Sequence, residues 1–129
     1  MYDWSLIIDI LKQISWSLDQ ISKRFAPVES IDDFIGNDRG LEKLDSICMQ
    51  VIALGEALKQ VDKLTNSTLL RKYPSIDWKK AKGLRDIITH HYFDIDAEIV
   101  YAVCKNRLPE MRIIIDQIIK DLEVTDQRV

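Results

Sequence analysis

The sequence predicts a single all-α domain that folds as an up-down bundle of four main helices plus a short helix. Apolar residues recur at spacings of three and four along most of the chain, and the few Gly and Pro residues stand where helices would end. The 129 residues, 47% of them hydrophobic, suffice to bury one core without disulfides or a structural metal. We therefore expect one domain over residues 1–129.

The first half of the chain predicts two long antiparallel helices joined by a short one. An apolar stripe runs over residues 4–25, and Pro27 ends that helix. Ser30 and Asp33 form an approximate capping pattern for a short helix. A second long helix is expected over residues 38–65, with its apolar positions on one face.

The second half of the chain opens with a loop over residues 66–75, after which Ser75 or Asp77 can cap a third helix. The remaining elements are, in order, a third helix from Trp78 to about His91, a break over 92–96, a fourth helix capped by Asp96, and a last helix opened by Pro109.

Composition excludes several functional classes. A net charge of −3 argues against a protein that coats nucleic acid through its overall charge. Cys48 and Cys104 lie far apart without other metal-ligand residues at the required spacing, so we expect no disulfide and no metal site. Asp3 and Asp9 stand where a signal peptide would be basic, and no apolar run is long enough to span a bilayer. We expect a cytoplasmic protein without a membrane partner.

The segment from Gly83 to Asp96 carries the residue types that handle phosphate. On a continuous helix Asp86 and His90, four residues apart, would touch, and the carboxylate would orient an imidazole able to act as a general acid or base near neutral pH. The alternative is a salt bridge at a helix end. His91 falls on the apolar stripe and fits a core or interface position.

Arg85 adds a planar cation to this segment. It lies about 140° from His90 around an ideal helix, so only a cleft against a partner surface would bring the two together. Arg85 and Tyr92, seven residues apart, would share a face if the helix continued. A guanidinium and a phenol on one face suit a phosphate-bearing ligand.

The flanking segment is locally basic. Between residues 71 and 85, six Lys and Arg side chains face one acid, Asp77. Candidate RNA contacts here are Lys79, Lys80, Lys82 and Trp78, whose ring could stack on an unpaired base. The alternative is that the lysines form a solvated helix face and that Trp78 anchors the core.

Five motifs in order resemble the HEPN superfamily, in its HepT-like toxin branch. Arg85, His90 and Tyr92 match its R-x4-H-x-Y signature. The other resembling segments are Leu54–Ala57 (I-G-E-A), Tyr73–Trp78 (P-x-I-x-W), Gly83–Asp86 (G-x-R-N/D) and His91–Asp96 (H-Y-x-x-I-D). Together with Leu108-Pro109 before the last helix, the resemblance covers nearly the whole chain. Asp86 stands where the family often has Asn.

The resemblance implies a two-fold homodimer in which Arg and His of both subunits face one cleft that cuts RNA without a metal or cofactor. Arg85 would hold the scissile phosphate, His90 would move a proton at the ribose 2′-hydroxyl or the leaving oxygen, and Asp86 would support them. The product would be a 2′,3′-cyclic phosphate. Tyr92 resembles the tyrosine to which a nucleotidyltransferase antitoxin of the MntA type adds AMP, which would block RNA.

We therefore expect the toxin of a toxin–antitoxin pair, with RNA as substrate and a nucleotidyltransferase as antitoxin. Two alternatives stay open because a fold does not fix a function. The chain can be a non-enzymatic HEPN partner or binding subunit of a nucleotidyltransferase, or a helical dimerisation module in which His90 and Asp86 are structural.

Overall fold

The computed structural model describes residues 2–91 and 94–127, with seven helices, one 3-10 helix and two short strands in that part of the chain. The helices are α1 Trp4–Phe25, α2 Asp32–Ile35, α3 Asp38–Leu64, α4 Trp78–Lys82, α5 Leu84–Ile88, α6 Ala97–Asn106 and α7 Leu108–Gln127. The 3-10 helix is Leu70–Lys72, and the strands β1 Thr89–His91 and β2 Asp94–Ile95 pair antiparallel. Four helices are long, and the predicted all-α class is confirmed.

Helix α1 lies at the centre of the bundle and runs antiparallel to both of its long neighbours. At its C-terminal end Arg24 donates a hydrogen bond to the Ser46 carbonyl near the start of α3, at 3.4 Å. Towards α7, Lys12 pairs with Glu123 at 3.6 Å and Asp19 with Arg112 at 3.0 Å, so the order of contacts reverses along the two helices. Between these pairs the Ser15 hydroxyl donates to the Asp116 carboxylate at 2.7 Å. The side chains that fill the space between the helices include Ile7, Leu11, Ile14, Leu54, Leu58 and Ile115, all fully buried. Burial of these side chains is the main stabilising term.

The helix ends follow the predicted signals. The Asp77 carboxylate accepts a hydrogen bond from the Lys80 amide at 3.1 Å, which selects Asp77 over Ser75 as the cap of α4. The Asp96 carboxylate does the same for the Ile99 amide at 3.1 Å and caps α6. Pro109 is the second residue of α7, where the missing amide hydrogen costs no helical hydrogen bond.

The predicted third helix over 78–91 is wrong in its continuity and in its end. Gly83 separates two five-residue helices, and the chain becomes extended at Thr89. Glycine lowers helix stability at that point, and the consecutive β-branched residues Ile87, Ile88 and Thr89 favour extended backbone. The Asp96 amide donates to the Ile88 carbonyl at 2.8 Å, which extends the β1–β2 pairing by one hydrogen bond towards α5 and α6.

Candidate functional site

The segment that carries Arg85 is held against α3. Helices α4 and α5 have five residues each, too short to be stable alone. Leu84 and Ile88 are buried in the core. Lys82 forms an ion pair with Asp62 of α3, and these two side chains are only 28% and 12% exposed. Packing and this ion pair therefore set the position of α5.

Arg85 and Asp86 are both exposed on α5. His90 lies in β1 by its backbone, and its side chain is outside the part of the structure that is described. Tyr92 is outside the described residues altogether. Because α5 ends at Ile88, Asp86 and His90 are not an (i, i+4) pair on one helix, so the predicted helical geometry is wrong, and contact between their side chains stays a prediction. Arg85 and Tyr92 would share a face only on a helix that continued past Ile88, and α5 ends there.

The apolar stripe predicted for this segment is confirmed in part. Leu84 and Ile88 are buried, whereas Ile87 is 36% exposed. The side chain of His91 is outside the described part of the structure. Ile87 lines a surface groove instead of the core.

The predicted RNA contacts separate into two groups. Lys79 and Lys80 are exposed on α4 and are available to an anionic ligand. Lys82 is engaged with Asp62 instead. Trp78 is only 8% exposed, and its indole Nε1 donates to the Tyr73 carbonyl at 2.8 Å. The structure thus favours the core role for Trp78 over stacking on a base.

The loop before α4 is fixed from its other side by Tyr73. The Tyr73 hydroxyl donates to Asp121 Oδ2 of α7 at 2.6 Å. Partial burial, and then the hydrogen bond to Asp121, raise the pKa of Tyr73 to about 12. Gln117 donates to the other oxygen of Asp121 at 2.8 Å. The hydrogen bond from Tyr73, followed by that from Gln117, lowers the pKa of Asp121.

A groove of about 320 Å³ opens between α4–α5 and the corner where α6 meets α7. Most of its lining is apolar, including Leu84 and Ile87 on one side and Ala102 and Met111 on the other. The lining also includes three charged residues: Asp77, Lys80 and Arg107. The groove therefore combines an apolar surface with two cations.

Two kinds of feature are absent from the described residues. Over residues 2–91 and 94–127, no helix is both long and apolar enough to cross a bilayer. In that same portion of the chain, no three His, Cys, Asp or Glu side chains gather in a way that could hold a metal ion.

Comparison with known families gives one decisive match. The family model described as ribonuclease HepT-like matches residues 14–118, from the middle of α1 to the middle of α7. The chain belongs to the HepT-like ribonuclease family. This match confirms the resemblance to the HepT-like branch of the HEPN superfamily, and it includes the whole segment from Gly83 to Asp96.

Relatives of this HepT-like chain carry names of the same kind. A protein of Methanocaldococcus jannaschii named "Putative RNase MJ0127" is 32% identical over 123 residues, covering 95% of this chain and 92% of the relative. From the same organism, "Putative RNase MJ1216" is 32% identical and covers 78% of this chain and 87% of its own length. "Putative RNase MJ0125" is 36% identical, with coverage of 71% and 73%. No solved structure matches the chain.

Two features around α4 and α5 could not be predicted from the sequence. Arg107 joins Lys80 at the groove, although it follows Lys80 by 27 positions and stands at the end of α6. Asp62 engages Lys82 from a different helix. Neither pairing leaves a signal in one sequence, because both depend on how helices pack.

Proposed function

We propose that this HepT-like chain is a metal-independent endoribonuclease that acts as the toxin of a toxin–antitoxin pair. The observation that carries the proposal is the family match over residues 14–118, which includes Arg85, His90 and Tyr92 in the order of the family signature. Exposure of Arg85 on α5 supports it, because a phosphate-binding guanidinium must reach solvent.

The proposed chemistry is transfer of the phosphoryl group to the ribose. The 2′-oxygen attacks phosphorus and loses its proton, while the bond from phosphorus to the 5′-oxygen breaks and that oxygen gains a proton. His90 serves as the base or the acid in this exchange, and Arg85 stabilises the negative charge that grows on the phosphate oxygens. The products are a 2′,3′-cyclic phosphate and a 5′-hydroxyl.

The proposal includes a homodimer whose cleft receives Arg85 and His90 from both copies, as in the family that the chain resembles. Asp86, exposed beside Arg85, is proposed to support the site by orienting polar groups. Its negative charge near a phosphate opposes substrate binding, so its contribution is expected to be smaller than that of Arg85 or His90.

The proposed antitoxin is a nucleotidyltransferase that modifies Tyr92. In that reaction the Tyr92 hydroxyl oxygen bonds to the α-phosphorus of a nucleoside triphosphate, diphosphate leaves, and the hydroxyl proton is released. The added nucleotide brings bulk and negative charge next to Arg85 and His90. Repulsion and occlusion of RNA would then switch the nuclease off.

The test is to incubate the purified chain with total cellular RNA in excess EDTA and to map the new ends. The expected result is cleavage by the wild type that leaves 2′,3′-cyclic phosphates. The variants Arg85→Gln and His90→Ala should each lose at least about 100-fold in rate, the usual size of an electrostatic or acid–base contribution. Circular dichroism and thermal unfolding of both variants verify that they fold.

Intact mass must show that Tyr92 is unmodified in the sample tested. RNA left uncut by unmodified wild type would contradict the proposal and favour a non-enzymatic partner of a nucleotidyltransferase. Cleavage that persists in folded His90→Ala would contradict the assignment of His90. Cleavage that stops in EDTA would contradict metal independence.

A further inference from the structure

The groove between α4–α5 and the α6–α7 corner is lined in part by α5, the short helix that also carries Arg85. Leu84 and Ile87 of α5 contribute apolar surface, and Ala102 and Met111 contribute more from α6 and α7. Concave, mostly apolar surfaces with a few polar groups are the usual form of a small-ligand site. A volume of about 320 Å³ accommodates a nucleobase with part of its ribose.

The charges at the groove suit a nucleotide. Lys80 and Arg107 supply two cations, and a planar guanidinium matches a phosphate group well. Asp77 supplies a carboxylate that already accepts the Lys80 amide through Oδ1. An ionised carboxylate only accepts hydrogen bonds and has lone pairs to spare, so Asp77 can receive a further donor from a ligand.

We propose that this groove binds one base of the RNA substrate, selected for an exocyclic amino group, while Lys80 and Arg107 contact the neighbouring phosphate. Adenine, cytosine and guanine can donate an amino hydrogen to Asp77. Uracil has no amino group, and its one base N–H, at N3, lies between two carbonyl oxygens that repel a carboxylate. The inference rests on the proposed RNA cleavage and adds the group that determines base preference.

The position of the groove relative to Arg85 indicates which nucleotide it binds. Ile87 and Arg85 are two residues apart on α5, about 160° around the helix, so they project from nearly opposite sides. The helix with its side chains is roughly 10 Å thick. Arg85 holds the scissile phosphate. The base bound in the groove therefore belongs to a nucleotide adjacent to that phosphate or to the nucleotide after it.

Binding of 2′-O-methyl oligonucleotides tests the groove separately from cleavage, because these RNAs lack the attacking hydroxyl. We expect the wild type to bind a sequence with adenine or cytosine at one position about tenfold more tightly than the same sequence with uracil there, as one hydrogen bond allows. Asp77→Asn should reduce this preference to less than about threefold, because the amide can donate to uracil as well. Asn is also a good helix cap, so α4 should be retained.

A second variant fills the groove. Ala102 is exposed on α6 and lines the groove, so Ala102→Trp adds bulk without disturbing the core. It should weaken binding of the preferred oligonucleotide at least about fivefold. The matched control is Ala53→Trp on α3, an exposed alanine that does not line the groove, and its affinity should equal that of the wild type.

Equal affinity of the wild type for all bases, or unchanged preference in both groove variants, would overturn the inference even if the protein cuts RNA. Sedimentation of Ala102→Trp and Ala53→Trp tests whether the groove is instead an interface between two copies of the chain. If Ala102→Trp alone separates a dimer into monomers, the groove is an interface between copies and not a base site. Selective binding by a protein that cuts nothing would support the groove and contradict the proposed nuclease.

Discussion

Gly40 allows α2 to approach α3 closely because glycine has no Cβ. A Cβ at this position would lie 2.1 Å from the Asp33 carbonyl oxygen and 2.8 Å from that of Phe34. Phe34 itself is fully buried, so α2 cannot move away without exposing an aromatic ring. Gly40→Ala should therefore destabilise the fold by about 1–3 kcal/mol, despite the better helix propensity of Ala. Chemical denaturation measures this loss.

Gly55 provides the matched comparison in the same helix. A Cβ there would lie 3.4 Å from the Ala81 carbonyl and 3.6 Å from that of Lys82, which is ordinary contact. Gly55→Ala should thus be neutral or slightly stabilising, since Ala favours a helix by roughly 0.5–1 kcal/mol. Equal losses in the two variants would show that the close approach at Gly40 is not the cause.

Single residues also illustrate what the sequence could predict. Asp96 and Pro109 stand at helix starts as predicted, and Asp77 is the one of the two predicted caps that begins α4, because capping depends on neighbours within a few positions. The sequence does not decide between a core role and a base-stacking role for Trp78, because a large aromatic residue in a basic segment fits both. Its burial, and the hydrogen bond from its indole to the Tyr73 carbonyl, favour the core role.

At the scale of elements, the ion pair between Lys82 and Asp62 links α4 to α3. Asp62→Asn should lower the free energy of unfolding by about 1 kcal/mol, because it leaves a mostly buried cation without its partner. It should also lower the kcat of RNA cleavage more than it raises KM, since α5 and Arg85 shift relative to bound RNA. Steady-state kinetics and chemical denaturation measure the two effects.

Glu56 and Lys59 form a control pair on the same helix. Their charged atoms are 3.4 Å apart, and their side chains are 53% and 49% exposed. Glu56→Gln should change stability and kcat little, as exposed pairs contribute about 0–1 kcal/mol. The exchange Asp62→Lys with Lys82→Asp should recover part of the lost kcat. A purely local role would be indicated if Asp62→Asn lowered stability but left kcat unchanged.

The hydrogen bond from Tyr73 to Asp121 ties the loop before α4 to α7 and makes its contribution depend on pH. The pKa of Tyr73 is raised from about 10 to about 12 in the folded state. Stability from the protonated phenol is thus fully present below pH 10 and is lost as pH rises towards 12. Between these values the wild type should lose more stability than Tyr73→Phe. Parallel loss in both proteins, in denaturation at stepped pH, would contradict this.

The third helix marks the limit of reading elements from sequence. Its apolar spacing correctly placed Leu84 and Ile88 inside, because periodicity reports on burial. The continuity of the helix was predicted wrongly, since Gly83 and three β-branched residues weaken a helix without specifying where it ends. The strand pair that replaces its last turn is extended by a hydrogen bond from the Asp96 amide to the Ile88 carbonyl, eight residues apart. Such a contact depends on how α5 and α6 are placed, which one sequence does not specify.

At the scale of the whole molecule, a net charge of −3 coexists with a local excess of positive charge over residues 71–85. The overall charge repels RNA at long range, so the proposed binding of RNA must depend on the few cations that reach it. The sequence identified this basic segment but assigned Lys79, Lys80 and Lys82 equal roles. Packing distinguishes the three lysines, because Lys82 forms an ion pair with Asp62 whereas Lys79 and Lys80 are exposed.

The salt dependence of RNA binding should reveal this division of roles. Each phosphate neutralised on a single strand adds about 0.7 to the slope of log affinity against log salt. The double variant Lys79→Gln with Lys80→Gln should therefore reduce the slope by about 1.4 without loss of thermal stability. Lys82→Gln should lower thermal stability and leave the slope unchanged, and Lys120→Gln, exposed on α7, should change neither. Fluorescence anisotropy with a 2′-O-methyl oligonucleotide at several salt concentrations gives these slopes. Lys82→Gln could instead reduce the slope by about 0.7, as much as loss of Lys79 or Lys80 alone. Lys82 would then contact RNA in the complex, and its ion pair with Asp62 would have to open on binding.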